Sequence, residues 1–146
     1  MVSEDYMRLA LEEAFNAVKD GNAPFGVIVV NNKDQVVAKD HDRVKEFMDP
    51  TAHGEINAIR KLCKELGTLS LNNMTFYTTS EPCPTCFSAC IKAKVKAVYY
   101  GADIEPSASL PIKAKELAAK SKYPIEVIGG ILAKECLEQR VKFRTS

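Results

Sequence analysis

Two periodicities share this chain, and the switch from one to the other limits the folds open to it. Residues Glu4–Lys19 set Met7, Leu11, Ala14, Phe15 and Val18 on one face at helical spacing, with Ser3 placed to cap the start and Asp20-Gly21 to end it. Two strand-like runs, Phe25–Val30 and Gln35–Ala38, then flank Asn31-Asn32-Lys33-Asp34, whose side chains suit a hairpin turn. From there helix and strand alternate: helix over Thr51–Glu65, strand over Met74–Thr79, helix over Thr85–Ala93, strand over Ala97–Tyr100, helix over Leu110–Lys120, strand over Ile125–Ile128 and a closing helix over Leu132–Phe143. That last helix puts Leu132, Cys136, Leu137 and Val141 on one face. A hairpin followed by βα units predicts an α/β fold, a three-layer α/β/α arrangement whose mixed five-stranded sheet turns parallel from Met74 onward.

The 146 residues contain no linker, repeat or low-complexity tract and read as a single domain, 1–146. A chain of this length buries roughly 68–70% of its unfolded surface, so it needs no disulfide to make a core. Its five cysteines therefore require another explanation. The odd count, with no secretory pattern in Met1–Asp20, points to reduced thiols in a cytoplasmic protein that pack, bind metal or react. No apolar run approaches the roughly 18 residues of a membrane span.

Two segments carry the chemistry: Asp49-Pro50-Thr51-Ala52-His53-Gly54-Glu55 and Glu81-Pro82-Cys83-Pro84-Thr85-Cys86. His53 offers an imidazole, and Cys83 and Cys86 offer two thiolates from the first turn of a helix, whose N-terminal dipole favours thiolate over thiol. Three such ligands hold one Zn2+ per chain and leave a coordination position for water, as a reaction requires. Bound zinc lowers the pKa of water to about 7, and Glu55 stands two residues from His53, free to act as general base and then general acid. The pattern fits hydrolytic deamination. A purely structural zinc site would instead recruit Cys63, Cys90, Cys136 or His41 as a fourth ligand; otherwise Cys63, Cys90 and Cys136 read as small buried apolar residues.

With 30 positions between His53 and Cys83, the combination matches the H-x-E…P-C-x-x-C signature of zinc nucleobase deaminases. At these residues the chain resembles the cytidine-deaminase-like superfamily over nearly its whole length. The resemblance implies zinc on His53, Cys83 and Cys86, proton shuttling by Glu55, release of ammonia from an amino-heterocycle, and a homodimer or larger homo-oligomer. Within the superfamily, Pro24-Phe25-Gly26 and the two motifs look most like bacterial guanine deaminases, in which the Phe, here Phe25, packs against the base. His53-Gly54-Glu55 is shared with fungal cytosine deaminases, and Asp49-Pro50-Thr51-Ala52-His53 with tRNA adenosine deaminases. The same likeness gives the Gly54 N–H and the Glu81 carbonyl contacts to base and leaving group, with the Glu81 side chain solvated.

One departure bears on substrate. The family usually carries Asn eleven residues before the zinc His, where this chain has Asp42 after His41. An amide donates and accepts, whereas an ionised carboxylate only accepts, so Asp42 prefers a ring edge rich in N–H groups or bearing positive charge, unless the hairpin is shifted and Asp42 is merely solvated. The C-terminus also departs: the chain ends at Phe143-Arg144-Thr145-Ser146, short of the extension that guanine deaminases swap between subunits. Phe143, ending an amphipathic helix, reads as core. A net charge of +1 offers little for phosphate binding, although the 9 basic and 13 acidic residues of 1–86 contrast with 11 and 6 in 87–146. The partner expected is a small amino-heterocycle, with nucleic acid disfavoured and Asp103 and Glu105 on a loop that helps select the ring. The rival from another class is a zinc-stabilised interaction module without activity.

Overall fold

The structure, a computed structural model, describes residues 2–144. Its elements run α1 (Ser3–Lys19), β1 (Gly26–Val30), β2 (Val36–His41), α2 (Val44–Phe47), α3 (Gly54–Leu66), β3 (Thr75–Ser80), α4 (Pro84–Lys92), β4 (Ala97–Ala102), α5 (Ala114–Lys120), β5 (Glu126–Ile128) and α6 (Ala133–Phe143). The five strands form one mixed sheet in the order β2-β1-β3-β4-β5. β1 is antiparallel to both neighbours, and β3, β4 and β5 are parallel, so the parallel half starts where the period of the sequence changes. α1 and α6 cover one face and α3, α4 and α5 the other. Every residue of β1 is buried, Val27 and Val29 in one apolar layer and Ile28 and Val30 in the other. Each such side chain contributes about 1.5–3 kcal/mol of burial energy. No described helix is long and apolar enough to cross a membrane.

Local chemistry moved several boundaries. Val2, not Ser3, is the N-cap of α1; its N–H donates to the Asp5 carboxylate at 2.9 Å, which places Ser3 inside the helix. α3 begins at Gly54 rather than Thr51, because Asp49 accepts from both the Thr51 N–H (2.8 Å) and its hydroxyl (2.7 Å) and holds residues 49–52 in a turn. α4 starts one residue early, with Pro84 at its first position, where a missing N–H costs nothing. α5 starts at Ala114 rather than Leu110, since Pro111 biases Leu110 away from helical geometry. β2 runs on past Ala38 to His41, and the one-turn helix α2 follows it.

Two helical faces are also rotated from the stripes expected. α1 buries Tyr6, Met7, Ala10, Ala14 and Ala17 and leaves Phe15 exposed, because the start of β1 lies directly against its backbone. A Cβ on Gly26 would collide with the Ala10 carbonyl oxygen and lie 2.5 Å from the Ala14 nitrogen. α6 buries Cys136 and Arg140 while Leu137 and Val141 face solvent, since the Cys136 thiol fills the space above Gly101. Phe143 is half-buried and packs edge-on against Phe15 with ring centroids 5.7 Å apart; Thr145 and Ser146 lie outside the described residues. Gly26→Ala should lose about 1–3 kcal/mol or more in urea unfolding, because both clashing atoms are backbone and cannot rotate aside. Unchanged stability would show that α1 is not held this closely.

Candidate active site

β2 and β3 lead into the two helices that present the metal-binding motifs. His53 is the N-cap residue of α3 and Cys83 that of α4, with Cys86 in the first turn of α4. His53 Nδ1 lies 3.2 Å from Cys86 Sγ and 3.6 Å from Cys83 Sγ, and the two sulfurs are 3.6 Å apart. Zinc bonds of about 2.0–2.1 Å to nitrogen and about 2.3 Å to sulfur give tetrahedral edges of about 3.5 Å between nitrogen and sulfur and about 3.8 Å between sulfurs, within about 0.4 Å of these separations, so this donor set fits zinc. Among the described residues, Cys63, Cys90, Cys136 and His41 all lie outside this group. The fourth protein ligand of a structural zinc site is therefore not supplied by those candidates. Cys90 and Cys136 are buried packing residues as expected; Cys63 is only half-buried, at the margin of the core.

The three donors compete for protons. A hydrogen bond shared with Cys86, assisted by His53, holds the Cys83 thiol down to about 4. In return Cys83 raises His53 to about 9 and pushes Cys86 up. A dication satisfies such a set by displacing the protons. Glu55, on the second residue of α3 and 7% exposed, has its carboxyl raised by burial to about 7. A carboxyl in that range both takes and gives a proton near neutrality.

A cavity of about 510 Å³ opens above His53, Glu55 and Cys83, a size suited to small-molecule ligands. Phe25 and Asp42 meet on its wall because β1 and β2 pair Gly26 with His41, and the Asp42 N–H donates to the Phe25 carbonyl at 3.0 Å. Asp42 is not solvated. It is 5% exposed, one carboxylate oxygen accepts from the Val44 N–H at 3.1 Å, and burial raises its pKa. Gly54 is buried against Val27 and His41 as the first residue of α3, so its backbone belongs to the start of that helix.

Glu81 lines the cavity, but its side chain is buried rather than solvated. Its carboxylate accepts from the Ile104 N–H (2.9 Å), the Ala114 N–H (2.6 Å) and Lys113 Nζ (3.2 Å), pinning both ends of the segment between β4 and α5. Glu105 on that segment lines the cavity as anticipated, whereas the Asp103 side chain is 71% exposed and outside it. Sequence reasoning missed the residues of α6 and its end. Arg140 donates to Ser80 Oγ (2.8 Å) and the Asp103 carbonyl (2.9 Å), and Arg140 and Arg144 both pair with Glu105, at 3.2 and 2.6 Å. The Arg144 guanidinium also stands 5.5 Å from the centroid of the Phe25 ring. Asn57 was missed as well: it donates to the His41 and Ala52 carbonyls (3.0 and 3.1 Å) and ties the end of β2 to the turn before His53. Buried Asn on an otherwise apolar helical face was its only signal.

Residues 1–102 match the family model of the cytidine and deoxycytidylate deaminase zinc-binding region. The chain belongs to this family. It is a zinc-dependent hydrolytic deaminase. It is 39% identical over 104 residues to a guanine deaminase of Bacillus subtilis, covering 70% of this chain and 66% of that protein, a little under two thirds of its length. It is 33% identical over 135 residues to a tRNA-specific adenosine deaminase of the same organism, covering 91% of this chain and 83% of that one. A solved structure from work on A-to-I editing by tRNA:A34 deaminases superposes with a TM-score of 0.83 at 31% identity, over 92% of this chain and 98% of that chain.

Glu81→Gln should leave zinc content unchanged but cost about 1–3 kcal/mol, because a buried amide N–H at position 114 or 104 loses its carboxylate acceptor. Hydrogen exchange at Ile104 and Ala114 should accelerate together; protection equal to that of the unaltered protein would refute the clamp.

Proposed function

We propose that this deaminase acts on a free nucleobase or related amino-heterocycle, in the manner of a guanine deaminase, with His53, Cys83 and Cys86 as the zinc ligands. The reading rests on one juxtaposition: a buried carboxylate, Asp42, faces the same cavity as Glu55 and the aromatic ring of Phe25. Arg140 and Arg144, which also line the cavity, share one carboxylate, Glu105, which offsets one of their two charges. When bound, the zinc supplies an acidified water at neutral pH. Glu55 is placed to hold a proton taken from water and to pass it to the exocyclic nitrogen, which would leave as ammonia once the water oxygen has been added to the ring carbon. Phe25 supports the ring face, Asp42 accepts from ring N–H groups, and the Gly54 N–H and Glu81 carbonyl take the contacts that the family resemblance assigns them.

A second reading, tRNA adenosine deamination, is favoured by the length of the similarity to the tRNA-specific enzymes; cytosine deamination is a third. The free-base reading also takes the protein to be a cytoplasmic homodimer or larger homo-oligomer.

Ammonia release across guanine, cytosine, adenine, ammeline, amino-pterins, creatinine-like rings and tRNA separates these readings. Turnover of at least one free ring is expected, and turnover of tRNA alone would overturn the proposal. Glu55→Ala should retain zinc and fold while losing about 10²–10⁴ in kcat/KM; surviving activity would remove Glu55 from the mechanism. Asp42→Asn should reorder the ring preferences toward edges that need an accepted and a donated hydrogen bond, and an unchanged order would dissociate Asp42 from recognition.

A further inference from the structure

The next residue back from Asp42 points the other way, and its surroundings resemble a second metal site. His41 is 4% exposed and lies beneath α1. Its Nδ1 stands 3.0 Å from Glu13 Oε1, and because a carboxylate only accepts, Nδ1 carries the proton in that bond. In the neutral ring the lone pair is therefore on Nε2. That atom is buried and has no hydrogen-bond partner. It is aimed at two carboxylates: Asp20 Oδ2 at 3.6 Å and the carboxylate of Glu46, all three ligand atoms lying within 4.8 Å of one another.

A lone pair facing two carboxylates is repulsive unless a positive charge lies between them. A proton on Nε2 would draw Asp20 into a charge-assisted hydrogen bond of about 2.7–2.9 Å. The observed 3.6 Å is instead close to the separation of two ligands bound at about 2.0–2.2 Å to one ion. The neighbourhood is set up for a cation. Glu13 orients the imidazole from behind, as carboxylates commonly do for metal-bound histidines. Glu46 is steadied by Asn22, which donates to its carboxylate and accepts from its N–H, both at 3.2 Å. Arg43 is shared between Asp40 (2.8 Å) and both oxygens of Glu46 (3.1 and 3.2 Å), and its single charge leaves the carboxylates of Glu13, Asp20, Asp40 and Glu46 in local negative excess.

We propose that His41 Nε2, Asp20 and Glu46 form a second divalent-cation site, separate from the His53–Cys83–Cys86 group and oriented by Glu13. One imidazole nitrogen and two carboxylates select a first-row transition ion such as zinc over magnesium, which prefers oxygen and water. The ion cross-links the C-terminal cap of α1, the last residue of β2 and α2, three segments that meet one residue before Asp42, and so stiffens the wall that carries it.

The chain has only two histidines, which makes the test direct. Protein carrying one zinc per chain is labelled with ¹⁵N-histidine and titrated with further Zn2+ while the ring nitrogens are observed. The His41 Nε2 resonance should move and saturate at a second equivalent while the His53 signals stay in place. Asp20→Asn, at a 56% exposed side chain and so harmless to folding, should weaken the second equivalent at least tenfold. A His41 ring spectrum unchanged by a tenfold excess of zinc would overturn the proposal, as would a second zinc held equally tightly in Asp20→Asn. Because the readout is His41 itself, failure here leaves the proposed deamination untouched.

Discussion

Both neighbours of β1 run antiparallel to it, and the site depends on that pairing. β2 and β3 consequently run parallel to one another and leave the sheet at the same edge, about 10 Å apart across a single intervening strand. The turns beyond them then deliver the starts of α3 and α4 side by side, so an imidazole and two thiols separated by 30 residues of sequence come within about 3.6 Å. Gly26 allows the same pairing to lie flush against α1, and the cavity opens at this edge of the sheet. The N-cap positions of His53 and Cys83 follow from local chemistry, an aspartate-held turn in one case and a proline at the first helical residue in the other.

The cavity concentrates groups that ordinarily avoid burial. Glu55 and Asp42 are both under a tenth exposed, and in both desolvation is the main cause of a raised pKa. Burying a carboxylate costs several kcal/mol unless it is paired or hydrogen-bonded, and the site meets that cost unequally. Glu81 is fully satisfied by two backbone amides and a lysine and acts as scaffold. Asp42 has backbone contacts from Val44 and Ala23 and also lines the cavity, which leaves acceptor capacity for a ligand. Glu105 offsets one of the two arginine charges at the end of α6, so the wall contributed by that helix is less basic than its sequence implies but keeps a net positive charge.

Much of this was legible in the sequence where the signal is local. The change of period located the parallel strands, and the motif residues named the metal group, because ligand type and spacing are properties of short segments. Helix rotation was not legible. Apolar spacing placed Leu137 and Val141 on the inner face of α6, whereas Cys136 over Gly101 and the ties of Arg140 to Ser80 and Asp103 turn the helix the other way. The same holds for α1, where alanines bury in preference to Phe15 because the strand approaches too closely for a large side chain. Glu81 beside Pro82 looked like a solvated charge, since its amide partners lie 23 and 33 residues further along the chain.

The sequence by itself determined the order of elements apart from the one-turn helix α2, the mixed character of the sheet, the three soft-to-borderline candidate metal donors and the carboxylate beside them. These depend on periodicity, turn chemistry and side-chain identity, all of which act over a few residues. Only the tertiary structure decided that Asp42 faces the cavity while His41 faces α1, that Arg140 and Arg144 are paired with Glu105, and that Glu81 clamps a loop instead of meeting solvent. Each of those outcomes turns on which side of a strand or helix is covered, and by what, and that is settled by packing between segments distant in sequence.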